Sequence, residues 1–219
     1  MRVIIFAAML LLLGSSLSRA AEWASIDKAI AALDRVIGSY PPDIKTDTQK
    51  REVIAKYERT KASLDAALAA QPADMDNLLR RANLQTMGHN LDLPGAFKGA
   101  EQDYAAILNE NPQHERAILG LANMWVNSSP DYAPRAENLF RAAQCLHENV
   151  PLEEAQRGLF FAFYYQGRIE DAGRQAEFLA AQWPNVQMYR KLDEMAASVL
   201  ERQGKSRHAG GASKMVSCG

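Results

Sequence analysis

The stretch Gly95–Pro112, GAFKGAEQDYAAILNENP, has the pattern of one amphipathic helix with a defined end. Ala100, Tyr104 and Ile107 recur at helical spacing and predict a single apolar stripe. The helix is expected to end just before the proline, because the ring of Pro112 disfavours α geometry in the preceding residue. One such helix cannot bury its stripe alone, so the sequence predicts neighbouring helices that pack against it.

Composition indicates a chain that can build a sizeable core. It has 219 residues, of which 47% are hydrophobic, and this length predicts one or two domains. The net charge is -1 and the basic residues are scattered, which argues against nucleic acid as a partner. Cys145 and Cys218 lack metal-site spacing, so neither a metal nor another cofactor is expected. Cys145 is expected to be a buried thiol, although a bridge to Cys218 is permitted outside the cytoplasm.

Residues 1–20 have the pattern of a signal peptide. Arg2 supplies a positive end, Val3–Leu13 is an unbroken apolar run, and residues 18–20, Ser-Arg-Ala, form a small-x-small cleavage site. The run is short beside the ~20 residues of a membrane-spanning helix, which favours cleavage over an uncleaved anchor. We therefore expect an exported protein, periplasmic or secreted. Membrane association is expected only through an uncleaved signal segment or through a partner.

Apolar residues recur at helical spacing along most of the remaining chain, without strand-like alternation, and predict an all-helical protein. Besides the opening stretch, the predicted helices cover residues 24–37, 46–70, 74–87, 115–126, 134–149, 152–166, 169–182 and 186–202. In the last helix, the residues expected to face inward are Met188, Leu192, Met195 and Val199. Residues 203–219 have no periodicity and are predicted to be disordered.

Prolines follow the predicted helices at regular intervals. Pro72, Pro112, Pro151 and Pro184 are separated by 40, 39 and 33 residues. Small and large apolar residues recur between them in matching order. The first hairpin has Ala82, Asn83, Gly95, Ala100, Tyr104 and Pro112. The middle one has Leu121, Ala122, Asn123, Trp125, Ala136, Phe140 and Ala143. The last has Leu159, Phe163, Gly167, Ala172, Ala176, Leu179 and Pro184.

This pattern resembles the tetratricopeptide repeat family, whose helical hairpins repeat at about 34 residues. The resemblance covers about half of the chain and implies an all-α fold, an α-solenoid. Its expected parts are an N-terminal helical pair at 21–72, which is alternatively a degenerate repeat, then three repeats at 73–184, a capping helix at 185–202 and the tail. Several features depart from the family pattern, including extra residues in the turn of the middle repeat and before Pro151. The turn at 88–94 is longer by about six residues, and Arg81 stands where the family has leucine.

The resemblance also implies a binding surface, because the first helices of successive repeats line a peptide-binding groove in this family. The corresponding residues are Asp76, Leu79, Arg80, Asn83, Arg116, Leu119, Asn123, Arg157 and Phe161. Asn83 and Asn123 occupy equivalent positions, where a side-chain amide can both donate to and accept from an extended peptide. Hydrogen bonds within the scaffold are the alternative. Leu79, Glu154 and Gly158 replace the basic residues with which some members clamp a carboxyl terminus, which argues against that ligand.

The expected function is that of a non-catalytic scaffold or adaptor in the cell envelope, binding a protein or a mixed apolar peptide with some acidic character. The alternative is a structural subunit of an envelope or secretion complex that uses surfaces outside the groove. A hydrolase with an unusual site is the least favoured hypothesis. The histidines lack the spacing of a zinc-binding helix, and neither a phosphate-binding loop nor a nucleophile elbow occurs. The acidic pair Glu153-Glu154 is explained by its place at a helix start.

Overall fold

The computed structural model describes residues 23–205 and 214–215, and over these residues the regular structure is helical, as predicted. The helices are α1 (residues 23–37), α2 (Asp47–Ala70), α3 (Met75–His89), α4 (Ala96–Glu110), α5 (Glu115–Ser128), α6 (Ala133–Cys145), α7 (Glu153–Tyr165), α8 (Ile169–Gln182) and α9 (Gln187–Arg202). A 3₁₀ turn, Pro130–Tyr132, precedes α6. The predicted signal peptide and most of the predicted tail lie outside the described residues.

Within the described ranges, no helix combines the length and the apolar character needed to cross a membrane.

The chain divides into two compact units within α4, between Asp103 and Tyr104. The first unit has a core to which α1, α2 and α3 contribute, with Leu33, Leu64 and Leu84 almost completely buried. In the second unit α5, α6, α7, α8 and α9 each pack against the next helix in the chain. Packing between consecutive helices is what a series of helical hairpins requires.

Three turns between helices share one backbone hydrogen-bond pattern. They are Gln71–Asp74, Asn111–His114 and Trp183–Val186. In each turn the first N–H donates to the carbonyl four residues earlier, at 2.8 to 3.0 Å, and the first carbonyl accepts from the fourth N–H, at 3.0 to 3.2 Å. Proline is the second residue of all three turns, a position at which it ends the helix without breaking either bond. Three of the four periodic prolines therefore mark a repeated local structure, whereas Pro151 lies in the connection between α6 and α7.

Helix α6 ends at Cys145, so the predicted extension of this helix to Asn149 is wrong. The fully buried side chain of Gln144 organises the chain that follows. Its Nε2 donates to the carbonyl of Val150 at 2.9 Å, and its Oε1 accepts from the N–H of Leu152 at 2.9 Å. Glu148 has a φ of 49°, in the left-handed region. The side-chain hydrogen bonds of Gln144 thus add to the backbone turns of this connection.

The inward face of α9 differs from the predicted one. Met188 and Met195 are 40% and 36% exposed, so their predicted inward orientation is wrong. The buried residues are Tyr189, Leu192, Ala196 and Leu200. The predicted and the observed buried residues both recur at helical spacing, and the two sets are offset by about one residue. The observed orientation of α9 buries the ring of Tyr189 and places its hydroxyl 2.6 Å from Oε1 of Glu153 in α7.

Cys145 is half-buried and disulfide-bonded, so the prediction of a buried thiol is wrong. The other cysteine of the sequence, Cys218, lies outside the described residues. Helix α6 therefore carries a disulfide bond at its last residue.

Three helices approach their predecessors closely because a glycine lies against an aromatic ring. The pairs are Tyr57 with Gly88, Tyr104 with Gly120, and Phe140 with Gly158. A β-carbon added to Gly158 would lie 2.2 Å from the ring of Phe140, well inside contact distance. Gly120 and Gly158 are each the sixth residue of their helix, in α5 and α7. These glycines are thus required by packing.

A charged cluster links three helices of the first unit. The guanidinium of Arg81 makes two hydrogen bonds to Asp103, at 2.7 and 2.8 Å, and a third to Asp65 at 2.9 Å. Asp103 is only 5% exposed and also accepts from Nε2 of Gln85 at 2.8 Å. A bidentate arginine–carboxylate pair is a strong and directional contact. Arg81 therefore joins α2, α3 and α4 from a position at which leucine was expected.

A chain of buried glutamines links three helices of the second unit. Nε2 of Gln156 in α7 donates to Oε1 of Gln144 in α6 at 2.8 Å. Nε2 of Gln175 in α8 donates in turn to Oε1 of Gln156 at 2.8 Å and to its carbonyl at 2.9 Å. Buried amides in such a network specify one packing arrangement, because slippage would leave them unpaired.

Glu137 in α6 is the centre of a second ionic cluster. Its carboxylate accepts from Arg141, Gln166 and Arg168 at 2.8 to 3.0 Å. Both arginines also lie over the ring of Phe163. Burial alone would raise the pKa of Glu137, but the hydrogen bonds from Gln166 and Arg141 and the charge of Arg168 hold it below its usual value of 4.5.

We predict opposite effects for two buried helical glycines. Gly158→Ala is expected to lower the free energy of unfolding by about 1–3 kcal/mol, because the added methyl group overlaps the ring of Phe140. Gly173→Ala is the matched control, since the nearest atom to its added methyl group is 3.6 Å away, on Leu200. It should raise stability by about 0.5–1 kcal/mol. Equal stability of both variants in urea denaturation would contradict the packing role of Gly158.

The glutamate cluster predicts a pH-dependent stability difference. Because the folded pKa of Glu137 lies below the unfolded one, its stabilising contribution is present at neutral pH and is lost as the pH falls through the folded pKa. Glu137→Gln should therefore cost about 1.5–3 kcal/mol at pH 7. The difference from the wild type should narrow as the pH is lowered below about 4. Urea denaturation at a series of pH values measures it, and a pH-independent difference would contradict the prediction.

Candidate functional site

The predicted groove residues are distributed over both units. Asp76, Leu79, Arg80 and Asn83 lie in α3 of the first unit. Arg116, Leu119 and Asn123 lie in α5 of the second unit, with Arg157 and Phe161 in α7. Leu79 and Leu119 are 2% and 6% exposed, so their side chains belong to the core. Asp76 and Arg116 are exposed. The remaining five residues are partly exposed.

In the first unit, Arg80 is held by α1. Its Nε and Nη2 donate to the two carboxylate oxygens of Asp27, at 2.7 and 3.2 Å, and Nη1 donates to Asn77 at 3.2 Å. The guanidinium also lies 5.4 Å from the ring centroid of Trp23. The hydrogen bonds to Asp27 raise the pKa of Arg80 above its usual value. Asn83, one turn further along α3, is half-buried and also has partners.

In the second unit, Asn123 connects α5 to α7. Its Nδ2 donates to Oε1 of Glu154 at 2.6 Å, and both side chains are half-buried. The amide donor that the sequence assigned to a peptide is therefore used within the scaffold. The carboxylate of Glu154 therefore has a specific partner in α5, in addition to its favourable position at the start of α7.

Arg157 lies at the junction of α7 and α9. The hydroxyl of Tyr189, which donates to Glu153, also interacts with the Arg157 side chain. Burial and the neighbouring Glu153 carboxylate raise the pKa of Tyr189 above its usual value, so the phenol stays protonated at neutral pH. Arg157 is thus half-buried beside Tyr189 and Glu153, whose side chains are hydrogen-bonded to each other.

Helix α7 carries more aromatic side chains than its core stripe can bury. Phe160 and Phe163 are buried in the core of the second unit. Phe161 and Tyr164 are half-buried, and Tyr165 is 41% exposed. The rings of Phe161 and Tyr165 stack with a centroid distance of 6.4 Å. We call Phe161, Tyr164 and Tyr165 the aromatic face of α7.

The sequence identified Arg157 and Phe161 as candidates but missed Tyr164 and Tyr165. A signal for them was present, since five of the six residues from 160 to 165 are aromatic and one helical stripe cannot contain them all. The partners of Glu153 and Glu154 carried no such signal. They lie on other helices, about 30 residues or more away in sequence, and only packing brings them together.

The chain matches no protein-family model, and neither a curated protein nor a solved structure matches it. The resemblance to tetratricopeptide repeats therefore depends on the residues quoted above.

The two classes of aromatic residue in α7 should respond differently to truncation. Phe160→Ala should lower the free energy of unfolding by about 3–5 kcal/mol, because the ring is completely buried. Tyr165→Ala should cost less than about 1 kcal/mol, because much of its ring faces solvent. Urea denaturation of both variants measures the contrast. A large loss of stability in Tyr165→Ala would show that this tyrosine serves folding rather than a surface function.

Proposed function

We propose that the protein is a non-catalytic peptide-binding scaffold of the tetratricopeptide repeat type, and that it acts as an adaptor in the cell envelope. The proposed binding surface belongs to the second unit and consists of α5 and α7. The observation that carries this proposal is the aromatic face of α7, which lies on the same helix as Arg157. Aromatic and arginine side chains dominate the binding energy of many protein interfaces.

The repeat type is supported by three independent regularities. The same proline-containing turn follows α2, α4 and α8. Glycine–aromatic contacts join α2 to α3, α4 to α5, and α6 to α7. Consecutive helices of the second unit pack against each other throughout. We propose an α-solenoid on these grounds, because a repeated hairpin that packs in the same way at each step generates one.

The side chains of this surface favour a particular class of peptide. Phe161, Tyr164 and Tyr165 offer apolar area on stiff rings, which lose little conformational entropy when they bind. Arg157 and the exposed Arg116 add positive charge on α7 and α5. An extended peptide with apolar anchors and one or more acidic residues matches both features. Since Asn123 already donates to Glu154, the proposal does not require this donor.

Export from the cytoplasm is part of the proposal. The N-terminal pattern of Arg2, Val3–Leu13 and the small-x-small site at residues 18–20 supports it. The disulfide bond at Cys145 also supports it, because such bonds persist in oxidising compartments and are rare in the cytosol.

Site-specific photocrosslinking in intact cells tests this proposal. A photoreactive phenylalanine at position 165 should trap one polypeptide, whereas the same group at the exposed position 142 on α6 is the matched control. Mass spectrometry of the product should find the captured segment apolar with acidic residues, and the N-terminus of this chain at Ala21. Trapping from position 142 alone would contradict the proposal and favour a structural subunit that uses other surfaces.

The captured segment then serves as a synthetic ligand. The double variant Phe161→Ser, Tyr165→Ser should raise its Kd at least about tenfold, which corresponds to ~1.4 kcal/mol. The double variant should still unfold cooperatively. An unchanged Kd would show that the aromatic face does not bind this segment.

A further inference from the structure

The disulfide bond at the end of α6 has one possible partner within the chain. Cys145 is disulfide-bonded, and no free cysteine occurs among the described residues. The sequence contains two cysteines, and the other one is Cys218. Since the structure consists of a single chain, a bond at Cys145 requires Cys218. Such a bond encloses α7, α8 and α9 in one covalent ring.

The described residues after α9 show where the C-terminal segment starts. The chain leaves the helix through Gly204, whose φ of 68° lies in the left-handed region, and the N–H of Lys205 donates to the carbonyl of Leu200 at 3.0 Å. Nζ of Lys205 pairs with Glu170, in the first turn of α8, at 3.1 Å. The segment therefore departs from the end of the second unit at which α8 begins.

Helix α7 gives the distance between this point and Cys145. It begins soon after Cys145 and ends at Tyr165, just before α8, so its 13 residues separate the two points by about 20 Å. The residues between Lys205 and Cys218 can extend to about 40 Å. They are therefore sufficient to reach along the unit. Met215, close to Cys218 in sequence, is half-buried, so its side chain is partly covered.

We infer that Cys145 is bonded to Cys218 of the same chain, and that this bond fixes the C-terminal segment along the second unit as a redox-sensitive strap. The bond forms when two thiols give up two protons and two electrons to an oxidant disulfide, which becomes two thiols. Oxidised glutathione is an oxidant of this class. The inference does not depend on what binds to α7.

The ring gives the strap a physical effect on the second unit. A bond between residues that are distant in sequence restricts the unfolded chain and so favours the folded state. Here the enclosed loop holds three of the helices of the unit, α7, α8 and α9. An oxidising compartment preserves this stabilisation, and reducing conditions remove it.

Peptide mapping under non-reducing conditions tests the bond. The full chain is equilibrated with oxidised glutathione, treated with a thiol-blocking reagent, denatured and digested with trypsin. Cleavage after Arg141, Arg157 and Lys214 places the two cysteines in separate peptides, residues 142–157 and 215–219. Mass spectrometry should find these peptides joined before reduction and separate after it. The intact protein should run as a monomer on a non-reducing gel, and Cys218→Ser supplies the unlinked control.

Thermal unfolding tests the strap. Cys218→Ser should lower the melting temperature by about 5–15 °C, because the ring is lost. The reduced wild type should melt at the same temperature as this variant. Ser217→Ala, next to the cysteine, is the matched control and should melt like the oxidised wild type. The double variant Cys145→Ser, Cys218→Ser should melt no lower than Cys145→Ser alone, because both substitutions remove the same bond.

Three results would each overturn the inference. The first is free thiols or glutathione adducts in place of the joined peptides. The second is a disulfide-linked dimer, which would place the bond between two chains. The third is an unchanged melting temperature in Cys218→Ser, which would show that the segment does not act as a strap.

Discussion

The close contact between an aromatic ring and a glycine of the next helix is the constraint on which the fold depends. An amphipathic helix gains little from a partner that stays distant, because burial of its stripe requires side chains in van der Waals contact. At Gly120 and Gly158 the absence of a β-carbon lets the preceding helix lay Tyr104 or Phe140 directly on the backbone. Each contact sets both the distance and the register of two helices.

Polar networks add specificity to this apolar packing. In the first unit, Arg81 and Asp103 form a nearly buried pair that also involves α2. In the second, Gln144, Gln156 and Gln175 connect three successive helices through their amides. Removing one partner from such a network would leave a buried polar group unpaired, which costs about 1–3 kcal/mol. Alternative helix pairings are disfavoured for this reason.

The proposed binding surface is an exception to these rules. Helix α7 carries an excess of apolar rings, of which Tyr165 remains 41% exposed. A surplus of aromatic surface suits a peptide with apolar anchors.

The sequence by itself determined the helical class and most helix positions, because the apolar period and helix-ending prolines are local properties; residues 169–182 were predicted with the observed bounds. It also named Arg157 and Phe161 as candidates for a binding surface, which stay a prediction. Only the tertiary structure decided that α6 ends at Cys145, that Tyr189 faces inward, and that Asn123 pairs with Glu154. These outcomes depend on hydrogen bonds and burial between helices distant in sequence, which local periodicity does not encode.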